Sequence, residues 1–131
     1  MSKVCFSSIH SLENEKEEIN YSVDAKISEN ENYKSISYLE PSDESTNSVS
    51  CLVKYNNEEV HLYREGEMSS EFHFYKSGKS LGVYEIMNYV VDLNIELKDM
   101  YISDQMIKID YLLMVDQTLS GNFLIKLEIK E

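Results

Sequence analysis

The sequence predicts an all-β fold, an antiparallel meander closed into a lipocalin-like (calycin) barrel of eight to ten strands. Three observations predict it. Apolar and polar residues alternate over long runs, turn-forming residues punctuate those runs, and no intervening segment is long enough for a parallel crossover. Ile19, Tyr21, Val23, Ala25 and Ile27 alternate with Asn20, Ser22, Asp24 and Lys26. A helix would scatter that set around its circumference, whereas a strand gathers it on one face.

The alternation returns in Val49/Cys51/Val53/Tyr55 and in Val60/Leu62. It is strongest late in the chain, in Val91/Leu93/Ile95/Leu97, Ile107/Ile109/Tyr111/Leu113/Val115 and Phe123/Ile125/Leu127/Ile129. These runs place strands near 3–9, 18–27, 32–39, 48–55, 58–65, 69–75, 80–86, 90–98, 106–116 and 121–130. Asn56-Asn57 suits a two-residue primed turn, because Asn tolerates positive φ. Ser77-Gly78-Lys79 breaks the next pair, Leu39 to Asn47 forms a longer loop around Pro41, and Asp116 to Asn122 separates the last two strands. The acidic run 13–18 reads as a solvated loop. Ten strands in an open sheet would leave long exposed edges, so closure is expected, and 131 residues fit one such domain.

Composition bounds the function. The formal charge is −12, from 24 acidic and 12 basic side chains, and residues 1–50 and 51–131 contribute −6 each. Such a field repels phosphate backbones and anionic lipid, which argues against nucleic acid and membrane surfaces as partners. Two cysteines, Cys5 and Cys51, and an N-terminus without a signal-peptide core point to reduced thiols in the cytoplasm. Four dispersed glycines cannot build a phosphate loop. The acids at 13–18 lack the spacing of a calcium site.

From residue 60 onward the chain resembles the YwiB-like family, bacterial proteins of unknown function with a lipocalin-like barrel. The resemblance is carried by Val60-His-Leu62-Tyr-Arg64-Glu-Gly66 with Ser70, Phe72 and Phe74. It is also carried by Ile107-Lys-Ile109-Asp-Tyr111 and by Asn122 to Glu131. It implies the barrel and lends no activity. The chain departs from the family at Ile86-Met87-Asn88-Tyr89, where members carry Thr-Pro-Tyr-Gly, so a ligand site built on those residues does not transfer.

Arg64 is the side chain to single out. It shares the inward parity of Val60 and Leu62, and a desolvated guanidinium is costly unless paired. It can sit at the rim in water, pair with an acid such as Glu85, or await an anionic ligand. The candidate ligand-binding set is Arg64, Ser70, Phe72, Phe74, Tyr84 and Tyr111, within an aromatic group that includes Tyr21, Tyr38, Tyr55 and Phe123. A barrel of this size either fills its interior with side chains or holds one small ligand.

His10, His61 and His73 show no metal-ligand spacing and read as surface residues; Cys51, between Val49 and Val53, reads as inert core. No catalytic residue, metal or cofactor is expected. Leu112 and Met114 make one strand apolar on its outer face, a place for intramolecular cover or a homodimer contact. A non-enzymatic barrel for a small ligand, with an acid group where it meets Arg64, is the expected function, as monomer or homodimer. A protein-interaction module with a filled interior, and an enzyme at the barrel mouth, are the alternatives.

Overall fold

A computed structural model describes residues 2–41 and 49–131. Ten strands follow one another along the chain: β1 (Ser2–Leu12), β2 (Glu15–Glu29), β3 (Lys34–Leu39), β4 (Ser50–Tyr55), β5 (Glu59–Glu65), β6 (Met68–Tyr75), β7 (Leu81–Ile86), β8 (Tyr89–Ile102), β9 (Met106–Val115) and β10 (Thr118–Lys130). Each pairs antiparallel with its chain neighbour, and β1 pairs with β10 to seal the sheet into a closed barrel. The predicted meander is observed, at ten strands, with no helix among the described residues. Closure removes the edge that a sheet this wide would otherwise expose.

The alternation sorts the side chains as expected. Val4, Ile36, Val53, Val60, Phe74, Ile107, Ile109 and Leu127 face inward and are essentially inaccessible. They fill the half of the lumen nearest the termini, here called the base. Tyr55 is also buried there, its hydroxyl donating to the Asp104 carbonyl at 3.3 Å. The other end, where the β1–β2, β5–β6, β7–β8 and β9–β10 connections lie, is the mouth.

The turns depart from the expected punctuation in three places. The acidic run 13–18 is mostly strand: β1 and β2 are joined by Glu13-Asn14 alone, with Glu13 at φ 55°. The segment 116–122 is likewise a two-residue turn, Asp116-Gln117, with φ values of 50° and 68° that match a primed hairpin. Asn56-Asn57 is not such a turn, since neither residue has positive φ. Instead Asn56 Oδ1 accepts from the amides of Glu58 and Glu59 at 2.9 and 3.1 Å, an Asx arrangement that spans a longer connection.

Met87-Asn88 makes another tight turn with both φ positive, 48° and 71°. β2 and β3 pair only from Lys26↔Ser37 to Glu29↔Lys34. Toward the mouth the two strands part.

Candidate functional site

A cavity of about 270 Å³ opens at the mouth end of the lumen. Phe6, Tyr21, Leu62, Phe72, Tyr111, Phe123, Ile125 and Leu127 give it an apolar wall. Ser8 and Ser70 add small polar side chains, and Glu40, Cys51 and Arg64 stand at its edge. Strand parity explains the lining: Arg64 pairs with Ser70 and with Cys51, so three neighbouring strands point these side chains to one place. A wider hollow of about 1290 Å³ follows the outer seam where β2 and β3 part. It is open groove rather than an enclosed site, so the lumen is the better candidate.

Arg64 is held by Glu40, not Glu85. Its Nε donates to Glu40 Oε1 at 2.8 Å and its Nη2 to Oε2 at 2.9 Å, a two-pronged fork. Glu85 lies on the exposed outer face of β7. Hydrogen bonding to Glu40 keeps the guanidinium more basic than usual despite its partial burial. The Arg64 side chain remains 48% exposed, so solvent screens the pair and its net contribution to stability is small.

Beside it, the Cys51 thiol donates to Glu40 Oε1 at 3.4 Å. Burial, then the Glu40 charge, push that thiol up to about 12, so it stays protonated at neutral pH and is a poor nucleophile. The hydroxyls of Tyr21 and Tyr38 share a hydrogen bond at 3.1 Å, and burial raises both.

Of the six side chains singled out in the sequence, the structure brings Arg64, Ser70, Phe72 and Tyr111 to the cavity. Phe74 lies one layer deeper, with its ring centroid 5.0 Å from Tyr111, and forms floor rather than wall. Tyr84 is partly buried toward the rim, where its hydroxyl meets Met68 Sδ at 2.7 Å. Glu40 was missed because it sits beyond the end of β3, beside Pro41, where alternation no longer assigns a face.

The histidines are more structured than a surface reading allows. His10 has inward parity and stacks flat on Phe123 at 4.3 Å, and Phe123 stacks on Tyr111 at 5.4 Å. His10 Nε2 donates to the Ser120 carbonyl at 2.8 Å. His61 faces outward as expected yet is only 9% exposed, packed among Tyr33, Tyr75 and His73. Its Nδ1 lies 2.7 Å from His73 Nδ1, so one ring donates and the other accepts. Glu59 and Glu71 face the two Nε2 atoms at 3.6 and 3.4 Å. Among the described residues no group of three or more His, Cys, Asp and Glu side chains could hold a metal ion.

This outer couple gives a pH dependence. Burial lowers the His61 pKa below its usual 6.5, so protonation favours the unfolded chain. Stability from this group is present above pH 6.5 and is lost as pH falls through and below that value. The Glu59 pKa is also lowered, chiefly by the Tyr33 hydroxyl, so its contribution is lost at more acid pH, from about its ordinary 4.5 downward. Urea midpoints measured from pH 7 to 5 should fall for the natural chain and fall less for His61→Gln. Parallel curves for the two proteins would refute the assignment.

Leu112 and Met114 are half-buried on the outer face of β9. Among the described residues no helix is long and apolar enough to cross a membrane.

The fold and cavity define a class: a closed, ten-stranded antiparallel barrel with a filled base and a small apolar cup at its mouth. Residues 4–127 match the family described as "Domain of unknown function (DUF1934)", and the chain belongs to that family. The crystal structure of the ywiB protein from Bacillus subtilis superposes with a TM-score of 0.73 at 17% identity, covering 99% of this chain and 92% of that one. At that identity the likeness is one of fold. No curated protein matches the chain.

Proposed function

We propose that this protein is a non-enzymatic barrel that takes a small, mainly apolar molecule into the cup at its mouth. The observation that carries the reading is a hollow of about 270 Å³ walled by aromatic and aliphatic side chains and bordered by a single ion pair. Buried polar side-chain atoms among the described residues are all hydrogen-bonded, so the cup offers an apolar body its shape. At the liquid-water share of about 30 Å³ per molecule, it has room for roughly nine water-sized groups. The Arg64–Glu40 pair presents donors and acceptors together at the edge and would orient a polar end. The protonated Cys51 supports binding rather than covalent chemistry. A cytoplasmic setting, suggested by the free thiols, suits this role.

Growth of side chains into the cup tests the reading. Ser8→Leu with Ser70→Leu should abolish binding of a neutral fluorophore such as 1-aminoanthracene, with the circular dichroism spectrum unchanged. Arg64→Ala should weaken binding without abolishing it. Unchanged fluorescence in the filled variant, or no binding by the natural chain, would refute the proposal.

A further inference from the structure

We infer that the ligand of this mouth is an amphipathic cation, with an apolar body in the cup and a positive group at the rim. The inference rests on the binding-barrel reading and reverses the sign that the inward-facing arginine suggests. Glu40 occupies Nε and Nη2 of Arg64 with both carboxylate oxygens, so the cup holds no uncompensated positive charge. An anion entering there would have to displace a two-pronged partner already tethered to the protein.

Above the pair, the rim is strongly acidic. Glu13, Glu15, Glu17 and Glu18 lie on the β1–β2 hairpin, Glu65 ends β5 and Asp116 sits in the last turn, with Lys16 as the cation of that hairpin. The base carries the compensating bases: Lys3, Lys34, Lys76, Lys79 and Lys130 lie there among its acids. The net charge of −12 is therefore polarised toward the opening. A ring of one sign around a low-dielectric opening concentrates ions of the other sign by about tenfold or more.

The lumen between rim and cup is mainly apolar, with His10 and Glu17 paired at inward parity on its β1–β2 side. Ile19, Met68 and Tyr89 carry inward parity toward the mouth and are 56%, 43% and 73% exposed. A passing cation would next meet the rings of Tyr21 and Phe72 in the cup, since aromatic faces attract positive charge, while Phe123 already has His10 and Tyr111 stacked on it. Acid rim, apolar throat and aromatic cup follow one another along one path. That order fits a molecule with one charged end and one greasy end.

Three probes with one tail and different heads separate the possibilities: octyltrimethylammonium, octyl glucoside and octyl sulfate, each titrated calorimetrically into the full chain below its micellar range. The expected order is cation, then neutral, then anion, with about tenfold between the first two at low salt. The preference should collapse at high salt, since rim charges are screened over about 8 Å at physiological ionic strength. Glu15→Gln/Glu17→Gln/Glu18→Gln should remove the preference and leave the neutral probe unchanged.

Equal affinity for all three heads, or tightest binding of the sulfate, overturns the cation inference and leaves the binding barrel standing. Cation binding that persists in Ser8→Leu/Ser70→Leu is surface adsorption and overturns it as well. Failure of all three to bind overturns both readings.

Discussion

Phe74→Ala should destabilise the barrel by about 3–5 kcal/mol, as large-to-small changes at fully buried aromatics do. Phe74 has no accessible surface, stands across from Val60 on β5, and touches the rings of Phe72 and Tyr111, at 6.0 and 5.0 Å between centroids. The barrel is closed around its layer, so the sheet cannot collapse into the void without breaking register. Domains of this size are stable by only about 5–15 kcal/mol, so the loss is a large share of the total. Urea unfolding should show a lower midpoint with an unchanged slope. A second consequence follows from where Phe74 sits. It is the floor beneath the cup, so the void should join the cavity and admit a longer probe than the natural chain accepts. A shift below about 1 kcal/mol would mean the base is not packed as described.

Period-two alternation, with turn residues between the runs, located all ten strands, because every strand has one face on a shared lumen and a slip of one residue would turn that face to water. Strand ends were less legible. Glu13, Met87, Asn88, Asp116 and Gln117 adopt positive φ without being glycine, so their tight turns carry no glycine signal, and the strands run further than the punctuation implies. The ion pair was half legible. Parity put Arg64 inward, but its partner lies outside any alternating run.

The His61–His73 contact was available to a closer reading. A hairpin between the fifth and sixth alternating runs that sets Arg64 across from Ser70 also sets His61 across from His73. Parity gives the face of a side chain, and register gives its partner. What no alternation conveys is how tightly an outward face packs, which is why a nearly buried His61 reads as a surface residue.

Gly121→Ala should cost about 3 kcal/mol, because it combines a backbone that L residues avoid with a space already filled. The β9–β10 ladder shifts register between Leu119 and Gly121, and Gly121 takes φ 140° as the strand recovers from that bulge. A methyl there would lie 2.8 Å from the Ser11 carbonyl oxygen and 2.6 Å from His10 Cδ2. The carbonyl cannot retreat, since Ser11 is pinned across the seam that closes the barrel, opposite Asn122. The imidazole can move only by giving up its stack on Phe123 and its bond to the Ser120 carbonyl.

A double-mutant cycle separates the two obstacles. In a His10→Ala background the ring is gone, while the φ strain and the Ser11 oxygen remain, so most of the cost should persist. If the cost vanishes there, the ring alone excluded the methyl and the bulge is not strained. If Gly121→Ala costs less than about 0.5 kcal/mol in either background, the seam between the first and last strands is not closed as tightly as described. The closed lumen, and the cup that depends on it, would then need another explanation.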